Sequence, residues 1–324
     1  MSQLTEITSP ILQELTEFKR LFDGSLSSSN PLLSKAINHI KKGNGKMMRP
    51  ILVLLLAKLY GPITVKTFHA AVSLELLHTA SLVHDDVVDE SDRRRGLPSV
   101  NALFNNKVAV LVGDYLLASS LVKVSQTHCT PIIEVIAHLG RELSEGELLQ
   151  LSNVDNAEFS EEVYFRVINK KTAALFSACA RVAALSAGAT DEQVEKTAKF
   201  GEYLGLCFQI KDDIFDYSSS EYIGKPTGND LIEGKLTLPA LYVLNHTHDE
   251  SIRQLGLKIK ERVASDDELR FFIKRVVELG GITYAEEVMS EYHVKAFDLL
   301  NSLPDNDIKR SLTAYLEYVV NRNK

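Results

Sequence analysis

The 324-residue chain has no tryptophan, three cysteines and nine prolines. The odd number and the spacing of Cys129, Cys179 and Cys207 exclude a disulfide framework and match no zinc motif. Lone thiols are typical of a reducing compartment, so the sequence predicts a cytoplasmic protein. Because proline is scarce and alanine, leucine, glutamate and lysine are plentiful, the composition favours helices.

Positive charge is also in deficit, since 36 lysines and arginines and 43 aspartates and glutamates give a formal net charge of −7. Phosphate backbones repel an acidic chain, so no nucleic-acid partner is expected. The longest uninterrupted apolar run, Ile51–Ala57, is far shorter than the about 20 residues of a membrane span. The N-terminus has no basic or apolar signal region. We predict no transmembrane segment, which still allows transient membrane contact when an apolar product is released.

Apolar residues recur at helical spacing along most of the chain, and no convincing alternating strand is found. Ser9-Pro10 indicates an N-cap and the first helical position after it. Capping boxes are indicated by Thr190 with Gln193 and by Ser265 with Glu268. Predicted helices include approximately 48–60, 64–91, 99–127 and 131–152. Because no low-complexity linker divides the chain, we predict an all-α fold in a single domain, residues 1–324.

A first acidic cluster, Asp85, Asp86 and Asp89, ends an apolar helical stretch. On a helix, Asp85 and Asp89 lie one turn apart on the same face, where like charges repel. A bridging hard cation such as Mg²⁺, which shares its ligand shell with substrate phosphates, stabilises such a pair. The alternative interpretation of this cluster alone is a solvated acidic helix end.

A second cluster, Asp212, Asp213 and Asp216, repeats the DDxxD spacing in another apolar helix. Two such motifs facing each other across a cleft would hold several divalent ions and one diphosphate. The recurrence therefore favours metal binding over a solvated face.

Basic residues accompany both clusters: Arg93, Arg94 and Arg95 follow the first, Lys225 and Lys235 follow the second, and Lys46, Arg49, Lys170 and Lys171 lie elsewhere. Each by itself is typical of a surface charge. As a set in an acidic protein they indicate two anionic groups, because arginine offers a bidentate fork for phosphate and lysine a point charge.

These motifs resemble those of the trans-isoprenyl diphosphate synthases, or polyprenyl synthetases. The matching segments appear in family order: GKMMRP, HTASLVHDDVVDESDRRRG, LVGDYLL, GELLQL, the KT of NKKTAALF, FQIKDDIFD, then GK and EGK. The resemblance runs from about residue 30 to the C-terminal helices. It implies an all-α bundle of the isoprenoid synthase type around a deep central cavity, and usually a homodimer.

The resemblance also implies roles for individual residues. Mg²⁺ ligands would be Asp85, Asp89, Asp212 and Asp216. The catalytic set would be Asp85, Asp86, Asp89, Asp212, Asp213 and Lys171. Isopentenyl diphosphate would be held by Lys46, Arg49, His78 and Arg95. The allylic diphosphate would be held by Arg94, Lys171, Thr172, Gln209, Lys225 and Lys235. Gln150 stands where short-chain members carry an aspartate near the metals, which leaves its role open.

The implied reaction is head-to-tail condensation. The allylic diphosphate ionises, isopentenyl diphosphate attacks the cation, and the proton leaves to the departing pyrophosphate. Ala80 and Ser81 lie about one turn before Asp85 and would line the tail cavity. Their small side chains leave it open, as in family members with long-chain products. We therefore expect a product such as octaprenyl diphosphate for quinone side chains, made from farnesyl diphosphate.

Three alternatives remain at this point. A short-chain synthase making geranylgeranyl or farnesyl diphosphate is the nearest. A terpene cyclase shares the first motif, but its second metal motif is typically of an NSE/DTE type, from which Asp212–Asp216 departs. A non-catalytic subunit of a heteromeric synthase would be expected to lack carboxylates or cations that this chain retains.

Overall fold

The computed structural model describes residues 3–43, 45–154, 159–217 and 228–322. Over these residues the chain forms helices α1 (Gln3–Thr8), α2 (Leu12–Ser25), α3 (Pro31–Lys42), α4 (Met48–Tyr60), α5 (Val65–Val88), α6 (Val100–Leu103), α7 (Asn106–Ser125), α8 (Thr130–Val154), α9 (Glu161–Ile168), α10 (Ala174–Ser186), α11 (Asp191–Asp216), α12 (Asn229–Ile232), α13 (Leu238–His246), α14 (Glu250–Lys260), α15 (Asp266–Glu278), α16 (Gly281–Asn301) and α17 (Asp307–Asn321). The predicted all-α class is confirmed.

Within the described residues, strand structure is limited to one hairpin, β1 (Arg93–Arg94) against β2 (Leu97–Pro98). Its two-residue turn, Arg95-Gly96, has positive φ at both positions, 51° and 79°. Such turns match the twist of the paired strands, and glycine is the residue that favours them. The hairpin carries three consecutive arginines that begin four positions after Asp89, the last residue of the first aspartate motif.

The chain divides into two compact units. The first unit comprises Met1–Gly140, Ser177–Ala198 and Leu303–Ala314, and the second comprises Arg141–Phe176, Lys199–Ser302 and Tyr315–Lys324. The single-domain assignment stays a prediction.

In the first unit the core forms around α4 and α5. Residues 50–57 of α4 are all buried, as expected of a helix that is apolar on every face. α5 packs closely on α7, and two small serines link the helices at their contact. Ser73 Oγ donates to the Ser120 carbonyl at 2.9 Å, and Ser120 Oγ donates to the Ser73 carbonyl at 2.8 Å. Gly113 of α7 contacts His84 so closely that a Cβ there would overlap the ring. This contact sets α7 beside the first aspartate motif.

In the second unit, a π-helical turn over Asn169–Ala173 joins α9 to α10. Two glycines let neighbouring helices approach it. A Cβ on Gly146 would lie 2.8 Å from Lys170 Cβ, and one on Gly205 would lie 2.6 Å from Ala173 Cα. Single π-turns are frequent at functional sites, and this one carries Lys171 and Thr172.

Most predicted boundaries agree with the structure, and two do not. The capping boxes at Thr190 and Ser265 are confirmed. Ser9-Pro10, however, lies in a 3-10 turn after α1, where the Ser9 hydroxyl donates back to Glu6 instead of capping. The predicted helix 99–127 is broken at Asn105, whose side chain accepts from the Val108 N–H at 2.9 Å and thereby caps α7.

Among the described helices, α7 alone is long and apolar enough to cross a membrane by length and composition, and 33% of its most apolar stretch is buried. This helix contains no long uninterrupted apolar run, because Lys107, Asp114 and Lys123 interrupt its sequence. The absence of a transmembrane segment stays a prediction.

Candidate active site

The first aspartate motif lies at the C-terminal end of α5. Asp85 and Asp89 are half-buried, and the backbone N–H of Asp89 donates to the carbonyl of Asp85 at 2.8 Å, closing the last turn. Asp86 is buried, and its Oδ1 accepts from Arg94 Nε at 2.8 Å and from Nη2 at 2.5 Å. Burial raises the pKa of Asp86, and the Arg94 guanidinium opposes that shift. Asp86 therefore anchors Arg94, while Asp85 and Asp89 present the more accessible carboxylates.

A basic cluster lies in the same unit. Arg95 Nη1 donates to the carbonyl of Gly43 at 2.9 Å, and its guanidinium lies against Gly45, where a Cβ would come within 2.8 Å. The glycine loop thus admits the arginine at close range. Lys46 follows in the same loop and is exposed immediately before α4, which carries Arg49.

His78 and Glu75 lie on the buried part of α5 beside these arginines. Burial lowers the pKa of His78 well below its ordinary value, and Arg49 and Arg95 lower it further, so the imidazole is neutral. Burial raises the pKa of Glu75, which Arg49 and Arg95 counteract. A cavity of about 70 Å³ is lined by Glu75, Thr79, Asp86, Arg94 and Arg95, among others.

The second aspartate motif ends α11, and its three carboxylates have different surroundings. Asp212 is partly exposed, and its Oδ1 accepts from Arg322 Nη2 at 2.8 Å. Asp213 is buried, and burial raises its pKa well above the ordinary value. Asp216 accepts from the backbone N–H groups of Gly228, Asn229 and Asp230 at 2.9–3.1 Å, and so anchors the start of α12.

Asp213 is the centre of a chain of hydrogen bonds. Tyr164 OH donates to its Oδ2 at 2.6 Å, and Gln209 Nε2 donates to its Oδ1 at 2.8 Å. Gln209 Oε1 in turn accepts from Thr172 Oγ1 at 2.6 Å. These hydrogen bonds connect the π-helical turn to the second aspartate motif. They also fix the orientations of the Gln209 amide and the Thr172 hydroxyl.

A cavity of about 220 Å³ lies inside the second unit. Its polar lining comprises Gln150, Tyr164, Lys171, Thr172, Gln209, Asp213, Asp230, Lys235, Thr237 and Lys260. The structure thus brings together four of the six residues assigned to the allylic diphosphate: Lys171, Thr172, Gln209 and Lys235. Lys225 lies outside the described residues, and Arg94 belongs to the first unit.

The two lysines of this cavity already have acidic partners. Lys171 pairs with Glu147 and donates to Gln150 Oε1 at 3.0 Å, while Lys235 pairs with Glu233 at 2.6 Å. Gln150, whose role the sequence left open, therefore helps to position Lys171.

Sequence reasoning did not find five of the charged or polar residues at these sites: Glu75, Tyr164, Asp230, Lys260 and Arg322. Glu75 had a usable signal, because a charged residue inside an apolar helix needs a partner. Asp230 lies in a segment without periodicity, and burial raises its pKa to about 7. Tyr164, Lys260 and Arg322 had no sequence signal, because long-range packing sets their surroundings.

The two residues assigned to chain length lie on α5. Ala80 is buried, and Ser81 is partly exposed with its hydroxyl donating to the His78 carbonyl at 2.9 Å. Both side chains are small, as the sequence analysis requires for an open tail path. Their role stays a prediction.

The donor groups at the two aspartate motifs are compatible with a divalent metal. Over the described part of the chain, no three His, Cys, Asp or Glu side chains converge into a ready metal site. Mg²⁺ commonly binds through one or two carboxylates, several waters and substrate phosphates, so a pair or a single accessible carboxylate fits it. Asp85, Asp89 and Asp212 offer such oxygens. Asp216 uses both oxygens on the backbone of 228–230, and its assignment as a ligand stays a prediction.

Comparison with known proteins gives consistent matches. The polyprenyl synthetase family model matches residues 30–276. The octaprenyl diphosphate synthase of Haemophilus influenzae is 38% identical, over 92% of this chain and 91% of the relative. The solved geranylgeranyl pyrophosphate synthase of Bacteroides thetaiotaomicron is 56% identical, covers 99% of this chain and 100% of its own, and has a TM-score of 0.89.

A polyprenyl synthase of Caulobacter crescentus, solved with calcium and isoprenyl diphosphate, superposes with a TM-score of 0.93 at 29% identity, over 99% of this chain and 98% of that one. Names among other relatives include a heptaprenyl diphosphate synthase component 2 and a decaprenyl diphosphate synthase. Product length varies across these matches, whereas the reaction class does not. The chain is a prenyltransferase and belongs to the polyprenyl synthetase family.

Proposed function

We propose that this protein catalyses Mg²⁺-dependent, head-to-tail condensation of isopentenyl diphosphate onto an allylic diphosphate to form an all-trans polyprenyl diphosphate. The observation that carries the proposal is the cavity of the second unit. There, Lys171, Thr172, Gln209 and Lys235 line one space beside the buried Asp213. A concave site with convergent cations and amide donors suits a diphosphate.

The allylic diphosphate binds in this cavity. Lys171 and Lys235, which pair with Glu147 and Glu233, each gain phosphate oxygens as further partners, so neither the lysines nor the carboxylates lose a counter-charge. Thr172 Oγ1 donates to Gln209 Oε1 and so holds the Gln209 amide, whose second N–H then donates to a phosphate oxygen. Lys171 remains beside the leaving group as its charge grows.

Isopentenyl diphosphate binds the basic cluster of the first unit, through Lys46, Arg49, His78 and Arg95. The neutral imidazole of His78 donates one hydrogen bond and adds no charge. Arg94, anchored on Asp86, serves the allylic substrate as the family resemblance implies. The proton lost in the condensation leaves with pyrophosphate, so the protein needs no general base.

Asp85, Asp89 and Asp212 would hold the magnesium ions, with Asp216 as the further assigned ligand. Bound Mg²⁺ supplies electrostatic stabilisation of the departing diphosphate. The buried apolar residues of α4 and α5 would exclude water from a tail path along α5 in the first unit.

We propose a long-chain product, such as octaprenyl diphosphate for quinone side chains, made from farnesyl diphosphate. Ala80 and Ser81 support this because neither side chain is large enough to close a tail path along α5. Geranylgeranyl diphosphate is the second candidate, supported by the 56% identity to a synthase of that name.

A Ser81→Phe variant tests the path. It should shorten the product to roughly the farnesyl or geranylgeranyl class and leave the first condensation intact. Ser119→Phe, on α7 of the same unit, is the matched control and should leave product length unchanged. Wild-type product length from Ser81→Phe at a normal rate contradicts the path along α5.

We further propose a cytoplasmic homodimer with transient membrane contact at product release. α7 supports a dimer because three of its large apolar side chains are more than half exposed: Leu111 at 68%, Leu121 at 52% and Val122 at 57%. Such surfaces are typical of association sites. Leu111→Glu with Leu121→Glu should yield a monomer in analytical ultracentrifugation, and an unchanged sedimentation mass contradicts this interface.

The decisive experiment combines purified protein, farnesyl diphosphate and isopentenyl diphosphate, with products sized by chromatography. Activity should be absent after exhaustive chelation and return with Mg²⁺. Products longer than geranylgeranyl support the long-chain proposal, products that stop there support the second candidate, and no condensation at any Mg²⁺ concentration contradicts the function.

A further inference from the structure

The C-terminal end of α17 supplies a positive charge to the second aspartate motif. Arg322 follows the last residue of α17, and its side chain is only 11% exposed. Its Nη2 donates both to Asp212 Oδ1 at 2.8 Å and to the Phe208 carbonyl at 2.9 Å. This arginine lies 110 positions from Asp212 in sequence and had no role in the sequence analysis.

Arg322 is held independently of Asp212. Its guanidinium carbon lies 3.9 Å from the centroid of the Phe208 ring and 5.6 Å from that of Phe215. Residues 208, 212 and 215 share one face of α11 because they are four and three positions apart. Stacking and the carbonyl bond therefore keep the charge in place even when Asp212 has another partner.

Asp212 is the accessible carboxylate of its motif. Tyr164 and Gln209 occupy both oxygens of Asp213, and three backbone N–H groups occupy those of Asp216. The Asp212 side chain is 42% exposed, and Arg322 contacts its Oδ1. A divalent ion that binds this motif through Asp212 would therefore lie near the positive charge of Arg322, which contacts the same carboxylate.

We propose that Arg322 is a resident counter-ion of Asp212, which weakens divalent-metal binding there until a diphosphate supplies further negative charge. The inference rests on the proposed function only in taking Asp212 as a metal ligand. Repulsion between a fixed guanidinium and a doubly charged ion exceeds what one hydrogen bond to Oδ1 gains by orienting the carboxylate, because both charges lie within a few ångströms. Metal and diphosphate then bind cooperatively, since the binding of each makes the binding free energy of the other more favourable.

The test measures Mn²⁺ binding without any diphosphate, by the electron paramagnetic resonance signal of the free ion. Arg322→Gln should bind Mn²⁺ about tenfold more tightly than wild type. Arg322→Lys keeps the charge without the planar fork and should remain within about threefold of wild type. The matched control is Arg310→Gln, which removes one equal charge from an exposed position and should leave affinity unchanged.

A double-mutant cycle localises the effect. In the Asp212→Asn background, Arg322→Gln should no longer strengthen Mn²⁺ binding. In condensation assays with saturating substrates, the Mg²⁺ concentration for half-maximal rate should change less than the substrate-free affinity does. Circular dichroism checks the fold of each variant, and Arg322→Met replaces Arg322→Gln if the latter does not fold.

Weaker Mn²⁺ binding in Arg322→Gln overturns the proposal and makes Arg322 a residue that orients Asp212 for the metal. Unchanged binding, or a gain that persists with Asp212→Asn, also overturns it. None of these results depends on turnover. If instead the wild-type protein condensed no substrate, the proposed function would fail while the affinity series could still be read.

Discussion

The two aspartate motifs share one spacing, yet the structure uses their carboxylates differently. In both, the second aspartate is buried and held by side chains: Asp86 by Arg94, and Asp213 by Tyr164 and Gln209. The third aspartates diverge. Asp89 caps its helix through its own backbone N–H, whereas Asp216 accepts three backbone N–H groups from the segment that follows.

The first aspartates also differ. Asp85 lies in the last turn of α5, where its carbonyl accepts from the Asp89 N–H, while Asp212 contacts the guanidinium of Arg322, which follows α17. An identical motif therefore gives two kinds of site: a pair of accessible carboxylates in the first unit, and one accessible carboxylate supported by two anchored ones in the second. The spacing of a DDxxD motif identifies the helix face but does not identify which members are available to a ligand.

The largest expected effect tests what the motifs share. Asp85→Ala and Asp212→Ala should each lower kcat by roughly three orders of magnitude or more, because both charges are needed as pyrophosphate leaves. Steady-state assays with farnesyl and isopentenyl diphosphates measure this, and circular dichroism checks that both variants fold. Near-normal turnover in one variant would mean that only the other motif serves the reaction.

The sequence was sufficient for features that repeat locally. Helical periodicity, the capping residues Thr190 and Ser265, and the two aspartate spacings all lie within a few positions and carry their signal in composition. Ser9-Pro10 shows the limit, because the same residues suit a helix start and a 3-10 turn inside a helical segment. Asn105 shows a second limit. Its side-chain amide caps α7 and so divides a segment that the hydrophobic periodicity predicts as one helix.

Partners that come from distant elements could not be predicted. Arg322 reaches Asp212 across 110 positions, and Tyr164 reaches Asp213 across 49. No periodic pattern links such pairs, since tertiary packing alone brings them together. The π-turn at 169–173 was equally hidden, because one extra residue in a helical turn depends on Gly146 and Gly205 in other helices.

The second expected effect tests the divergence of the third aspartates. Asp216→Ala should lower the free energy of unfolding by about 3 kcal/mol, because the backbone N–H groups of Asn229 and Asp230 lose their acceptor, while that of Gly228 keeps only the carbonyl of residue 216, at 3.0 Å. Asp89→Ala should lower it less, since the backbone N–H of residue 89 still donates to the Asp85 carbonyl after the substitution. Urea denaturation without divalent metal measures both. Asp216→Asn retains one acceptor oxygen, so its free energy of unfolding should lie between those of Asp216→Ala and wild type. Equal losses of stability in Asp216→Ala and Asp89→Ala would contradict this difference between the motifs.

A smaller effect concerns the anchored aspartate of the second motif. Tyr164→Phe should destabilise the protein by about 2 kcal/mol, because Asp213 Oδ2 loses its donor inside the fold. Tyr217→Phe is the matched control: Tyr217 is also buried in this unit, and its hydroxyl accepts from Thr237 Oγ1 at 3.3 Å. Urea denaturation should show the larger loss for Tyr164→Phe, and equal losses would mean that Asp213 does not depend on this bond.

The smallest effect belongs to the first unit and depends on pH. Burial lowers the pKa of His78 well below its ordinary value, with Arg49, Arg95 and Arg94 lowering it further. As pH falls through about 6.5, the unfolded chain therefore binds a proton at this residue that the folded protein does not, and folding stability falls. The contribution should be about 1 kcal/mol between pH 7 and pH 5.5.

His78→Gln should reduce the pH dependence of the free energy of unfolding over that range by this amount, while His246→Gln, which removes an exposed imidazole, should follow the wild-type profile. If His78→Gln keeps the wild-type slope in urea denaturation, the folded imidazole takes up a proton as readily as the unfolded one. His78 would then be protonated, and it would add one positive charge to the basic cluster that binds isopentenyl diphosphate in the first unit.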